Sequence, residues 1–422
     1  MTQKVSGDRL RNSEEMIVYK AFSSNRAAII ALRVVMVGIP VLFLFHSVTW
    51  HSIGVSSSTA VYAMKIFAVI TLIPLLMRGV IYAPNDRGFL TFNLLVALIF
   101  FSSFIMVMWQ DYFSLFYFLA DSLGFLLFCG YAQFGYMLRA KYSYVPSAIS
   151  KELNVFLILI SIVIILGFIQ SGGQKVSIPP DMHFATIFCF LCFFLRESKL
   201  SMLTGIFFVL LVSVSAFLTL HKVSLGAIGF SFVYLLIYRL RNFSIKNVAV
   251  VLFLVLTFLF IVFNFGSNLL NEFSVEINDA GDGFVGGSAN QRILESLLIF
   301  DEMAQSSYLT QILGKGFGSH YFNPGIIEHY PDYVHQGHST PFILWLRNGV
   351  LGVSLFAFIT IYSFRSLFSK NPERLIFAAP LFYCCLASLV DLYIYWGFFM
   401  GFGTGLLLAQ AAVDKRLRKT ID

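Results

Sequence analysis

A chain of 422 residues that is 58% hydrophobic and 12% charged, with 48 phenylalanines, is far from a soluble globular composition, where about a quarter of residues are charged. This balance predicts an all-α, polytopic membrane protein and excludes a water-soluble globular domain. The formal charge of +7 does not identify a nucleic-acid partner, because membrane proteins gather Lys and Arg on cytoplasmic loops in any case.

About 25 mostly polar residues precede the first apolar run, so no cleavable signal peptide is evident and residues 1–26 read as a cytoplasmic tail. A membrane span needs about 20 apolar residues at about 1.5 Å rise each. Twelve segments qualify: 28–46, 59–77, 88–108, 114–137, 153–170, 181–195, 200–219, 222–238, 247–265, 349–364, 375–391 and 394–411. The predicted organisation is nine spans within 27–265, one large extramembrane loop over 266–348, three spans within 349–411, and a tail over 412–422. With the N-terminus inside, 22 of the 29 Lys and Arg fall on cytoplasmic segments, which fixes the orientation and places the large loop on the outer face. The five cysteines all lie in apolar runs, with neither a disulfide framework nor a zinc spacing.

The remaining charges near or within spans have structural readings. Arg33 lies near the cytoplasmic end of the first span and can snorkel. Lys65 and Asp121 lie at similar depths from the outer face, which predicts an ion pair, with a substrate role for either as the alternative. Gly397, Gly401, Gly403 and Gly405 in the last span form a small-residue surface for helix packing.

Within the large loop, residues 290–305 put Ile293, Leu294, Leu297, Leu298 and Ile299 on an apolar flank, with Glu295, Asp301 and Glu302 expected mostly elsewhere. That pattern predicts an amphipathic helix lying on the membrane or the bundle top. Arg292 falls in its first turn, where the helix dipole disfavours a cation, so its placement calls for a reason other than helix stability.

The stretch 314–352 concentrates the polar chemistry, with four of the eight histidines: His320, His329, His335 and His338. Several readings are open. The glycines around Lys315 offer a phosphate-cradling turn, without Walker spacing. His335 and His338, with His329, Glu328 and Asp332 nearby, offer metal ligands, without a helical register to make them converge. Ser339 as N-cap, Pro341 in the first turn and Asn348–Gly349 as a stop predict a short helix over 340–347 that opens just after His338. A histidine beside a helix N-terminus can act as a general base next to an anion site, or be a loop histidine with a satisfied hydrogen bond.

His338–Ser339, nine residues, Gly349, two residues and Gly352 resemble the histidine motif of the bacterial O-antigen ligase/polymerase superfamily. Upstream, Arg292 on a loop helix and the turn Gly314-x-Gly316 resemble it too. The resemblance covers about 288–364 and agrees with a late periplasmic loop in a twelve-span bundle. It implies an inner-membrane, metal-independent, inverting glycosyltransferase without a cofactor, acting on the periplasmic face. A glycan would pass from an undecaprenyl-diphosphate carrier in the membrane lipid to a sugar hydroxyl, and a chain-length regulator protein is an implied partner. On this resemblance His338 is the catalytic base, Arg292 and Lys222 bind the diphosphate, and His335, Ser339, Gly316 and Gly349 position the loop or the acceptor. Lys222 stands where the family commonly has arginine, and no loop arginine precedes Arg292 between 266 and 291. These departures favour an O-antigen or exopolysaccharide polymerase over a ligase transferring polymer to lipid A–core. A transporter or flippase would call for midplane charges or inverted repeats, which the sequence does not show.

Overall fold

The structure, a computed structural model, describes residues 33–38, 66, 86–110, 113–140, 146–170, 180–195, 222–240, 288–327, 331–335, 337–369, 371–389 and 398–421. They are mostly helical: α1 (Arg87–Val107), α2 (Leu115–Ala140), α3 (Pro146–Gln170), α4 (Pro180–Leu195), α5 (Lys222–Leu240), α6 (Ser288–Gln305), α7 (Tyr308–Leu313), α8 (Thr340–Ser366), α9 (Pro372–Ala387) and α10 (Phe398–Ile421). A two-residue antiparallel pair, β1 (Tyr321–Phe322) with β2 (Tyr333–Val334), lies between α7 and α8. The helix starts follow local chemistry. Asp86 caps α1 by accepting from the Gly88 N–H at 3.0 Å, Asn371 caps α9 in the same way from Glu373, and Pro146, Pro180 and Pro372 each open a helix at a position whose N–H has no intrahelical partner.

Eight of the twelve predicted spans coincide with described helices, while 28–46, 59–77, 200–219 and 247–265 fall largely or wholly outside the described residues. Among the described residues, Arg87–Val107, Leu115–Ala140, Ile149–Leu166 and Thr340–Ser366 are long and apolar enough to cross a membrane, and shorter apolar stretches lie in α4, α5 and α10. In α3, Ile149, Leu153, Phe156, Ile160 and Ile164 are buried, while Val155, Leu159, Ile162 and Leu166 on the opposite side are exposed. A helix apolar on both its packed and its exposed face has the surface of a lipid-facing helix.

The tightest helix pair is α2 with α10. A Cβ at Gly401 would overlap the Phe128 carbonyl and one at Gly405 the Ala132 carbonyl, while Gly135 closes in the same way on Phe402. Gly401 and Gly405 therefore pack as the sequence predicts; Gly403 faces the Phe184 ring of α4, and Gly397 lies outside the described residues. The contacts advance in the same direction along both helices, so α2 and α10 run parallel.

The two ends of this bundle differ chemically. At one end Arg139 of α2 pairs with Glu373 and donates to Gln410 at 2.6 Å, next to the Asn371–Asp414 hydrogen bond. The loop elements α6, α7, β1 and β2 gather at the other end, above Gln110, Asp121 and Ser388.

Candidate functional site

The loop is anchored where α8 breaks. Gly349 has φ 60° and ψ −153°, so Thr340–Asn348 is a short helix and the membrane-length part of α8 begins beyond it, close to the predicted stop. A Cβ at Gly349 would overlap the Ile312 carbonyl, so glycine is required for both its conformation and its space. The break frees carbonyls at the end of the short helix, and the glycine turn supplies donors to them. Lys315 N–H donates to Leu346 O at 2.7 Å and Gly316 N–H to Arg347 O at 2.9 Å. Gly316, at φ 90°, passes so close to the Ser103 carbonyl that a side chain would strike it. Gln110 at the end of α1 donates to Lys315 O (2.7 Å) and Phe317 O (3.1 Å), and Asn348 donates to Ser103 Oγ at 2.7 Å. The turn is thus a structural splice between α1 and α8, which accounts for its glycines without a phosphate.

Beneath the splice lies a buried charge cluster. Asp121 of α2 forms an ion pair with Arg347, whose Nε lies 2.9 Å from Oδ2, and accepts the Gly318 N–H at 2.7 Å. Arg347 also donates from Nη2 to the His335 carbonyl at 2.9 Å. His335 Nε2 lies 3.4 Å from Asp121 Oδ1 and 3.3 Å from Arg347 Nη2, and its ring stacks on Tyr117 with centroids 4.0 Å apart. Burial and the neighbouring guanidinium hold His335 below its ordinary pKa, against the opposing pull of Asp121. His320, edge-on to Tyr117, is pushed down to about 4, first by burial and then by His335 and Arg347. Both imidazoles are therefore neutral near pH 7. The described partner of Asp121 is Arg347; the expected Lys65 partner lies outside the described residues. Arg33 is exposed at 66% and reaches Glu152 at 3.5 Å.

His338 has a different environment. Its Nδ1 lies 2.8 Å from Glu295 Oε2 and 3.0 Å from Oε1, and its backbone N–H donates to Oε2 at 2.9 Å. The Glu295 carboxylate accepts on both counts, so in the neutral imidazole the ring proton sits on Nδ1 and Nε2 keeps a lone pair. Glu295 is 1% exposed while the His338 side chain is 42% exposed: the carboxylate is sealed and the imidazole is open. Arg292 is half-buried one turn before Glu295 on α6, so the two side chains leave the same side of the helix. The site thus combines an oriented imidazole with a cation on a neighbouring turn, which suits deprotonation of a hydroxyl beside an anionic group.

Ser339 occupies the N-cap position of α8 with extended backbone but makes no side-chain cap hydrogen bond. Its expected role passes in part to α9, since the Thr340 N–H donates to the Ser388 carbonyl at 2.9 Å. His335 and His338, three residues apart, diverge to different partners, and among the described residues no three His, Cys, Asp or Glu side chains converge as metal ligands. Glu328 and His329 lie outside the described residues, as does the side chain of Lys222, the first residue of α5. Glu295 lies on the buried side of its helix, not away from it as its charge predicts. Its face continues through Ile299 and Met303, both buried, whereas Ile293, Leu297 and Phe300 are exposed. The four-residue steps from Glu295 to Ile299 and Met303 were the available signal. No family model matches the chain, and comparison with curated proteins finds no match.

Proposed function

We propose that this protein is a periplasmic-face glycosyltransferase of the bacterial inner membrane, moving a glycan from an undecaprenyl-diphosphate carrier to an acceptor sugar hydroxyl, as an O-antigen or exopolysaccharide polymerase. The carrying observation is the His338–Glu295 pair, which leaves an outward-facing imidazole nitrogen ready to take a proton. The His338–Ser339-x9-Gly349-x2-Gly352 pattern supports the assignment to glycan transfer.

In this reaction the acceptor oxygen forms a bond to the anomeric carbon as its proton moves to His338 Nε2. The bond from that carbon to the carrier diphosphate breaks, and the diphosphate leaves with the electron pair. Attack opposite the leaving group inverts the anomeric centre. Arg292, with Lys222, compensates the charge that develops on the diphosphate, and Glu295 stabilises the imidazolium that forms. No metal or nucleotide takes part.

The test is transfer from purified undecaprenyl-diphosphate-linked glycan by the full chain in detergent, with chelator present. His338→Ala is expected to abolish transfer at an unchanged protein level in the membrane, and full activity of that variant overturns the reading. Cysteines replacing the exposed Tyr308 and Arg87 report orientation, the first labelled by an impermeant reagent from the periplasm and the second protected. In a deletion strain, a cell-surface glycan carrying one repeat on the core marks a lost polymerase, and bare core marks a lost ligase.

A further inference from the structure

A cavity of about 320 Å³ opens beside the glycine splice, between the end of α1, the α6–α7 junction and β2. Its walls include Trp109, Gln110, Ser306, Thr310, Ser319 and Tyr333. Trp109 and Tyr333 are 69% and 50% exposed, large aromatic surfaces at the rim, with the Tyr333 ring also resting against Phe322 at 5.6 Å between centroids. Ser319 is 2% exposed, and its hydroxyl has no hydrogen-bond partner among the described residues; the same is true of Gln110 Oε1. A buried hydroxyl without a partner is costly, so a ligand hydroxyl that satisfies it is favoured.

Charge narrows the ligand class. Lys315 is the cation on the cavity wall, and it is paired with Glu302, whose other oxygen accepts the Phe322 N–H at 2.7 Å. His320 is neutral near pH 7. The wall thus carries no uncompensated positive charge for a phosphate or carboxylate. It offers aromatic faces for C–H groups and amide and hydroxyl groups for hydroxyls, in a volume at the small end of ligand sites.

The geometry points to a binding subsite for a single neutral sugar unit, held by Trp109 and Tyr333 at its rim and by Gln110 and Ser319 at its base. Glu302 on its wall follows Glu295 by seven residues on α6, about 10 Å along the helix axis. A glycan with its reacting end at His338 therefore has a unit further along the chain within reach of this subsite, which holds the register of the growing polymer. The link to polymer register rests on the proposed function, whereas the subsite itself does not.

The experiment is saturation-transfer NMR on the full chain in detergent, with methyl glycosides of galactose, mannose and N-acetylglucosamine as probes and inorganic phosphate as competitor. At least one neutral glycoside is expected to bind wild type and His338→Ala alike. Trp109→Ala and Ser319→Ala should each weaken it about tenfold. Ser319→Ala should leave the thermal midpoint of the unliganded protein unlowered, because it removes an unpartnered hydroxyl. Failure of every neutral glycoside to bind, binding undiminished in both variants, or displacement by phosphate overturns the subsite. Loss of transfer in His338→Ala with undiminished binding in both subsite variants leaves the proposed function standing and removes the subsite. Sugar binding that depends on Trp109 in a protein without transferase activity does the reverse.

Discussion

Arg347 Nε meets Asp121 Oδ2 at 2.9 Å with the two side chains only 1% and 5% exposed, one on the short first part of α8 and the other on α2. Removing one member leaves its partner buried and charged, which costs about 3 to 5 kcal/mol, whereas replacing both with apolar groups is close to neutral. Asp121→Asn should therefore lower the thermal midpoint in detergent sharply, and Asp121→Leu with Arg347→Met should recover most of it. Equal loss in the single and double variants would mean that the pair is not the main contribution of these residues.

Glu295 fixes which nitrogen of His338 carries the proton. Glu295→Gln can donate its amide to Nδ1 and stabilise the tautomer with Nε2 protonated, which is unable to act as a base. Transfer is expected to fall about a hundredfold to ten-thousandfold in kcat with little change in KM, and Glu295→Asp should retain part of the activity. A change confined to KM would place Glu295 in binding instead.

Arg292 and Lys222 are assigned to the leaving diphosphate. Losing one charge-assisted contact to a departing anion costs about 2 to 4 kcal/mol, or about thirtyfold to a thousandfold in rate. Arg292→Ala should show that loss, and Arg292→Lys should recover only part of it, because an ammonium lacks the bidentate fork. Lys222→Arg should be tolerated. Full transfer rates in both alanine variants would remove the assignment.

The neutral imidazoles of the loop make stability depend on pH. His320 stays unprotonated down to about 4 in the folded protein, and His335 is also held below its ordinary value. An unfolded chain takes up these protons near pH 6.5, so their stabilising contribution is complete above about pH 6.5 and is lost as the pH falls toward about 4. The thermal midpoint should fall over this window in wild type and less steeply in His320→Gln. A parallel decline in both would assign the pH dependence to other groups.

The break in α8 depends on one missing side chain. Gly349→Ala should destabilise the fold by more than about 2 kcal/mol, because the new Cβ strikes the Ile312 carbonyl at a backbone angle already unfavourable to alanine. Gly325→Ala shares a positive φ but has nothing within 4 Å of the new Cβ, so it should cost only about 1 kcal/mol. Thermal melts of the two variants in the same detergent make the comparison.

The helical character, the positions of eight helices and the break at Gly349 were legible because each rests on local pattern: an apolar run, a cap, or a glycine after asparagine. The roles of Gly401 and Gly405 followed from their four-residue spacing for the same reason. What was not legible is pairing across the chain. Nothing near Asp121 in the sequence indicates Arg347, and nothing near His338 indicates Glu295, because those contacts come from how distant helices dock. The inward turn of Glu295 also reverses the usual preference for burying the most apolar side of a helix. Ile293, Leu297 and Phe300 remain outside so that one carboxylate can reach an imidazole.

The parallel seam between α2 and α10 joins an early part of the chain to its last described helix. Chain order gives α2 before the loop elements and α10 after them, and among the described residues Phe128 and Ala132 of α2 meet Gly401 and Gly405 of α10 while Gly135 meets Phe402. The helix that carries Asp121 thus has its α10 contacts only in a chain made at least as far as Gly405. Both residues of the His338–Glu295 pair precede α10 in the chain, so the pair and the helix seam beneath it are completed by different stretches of sequence.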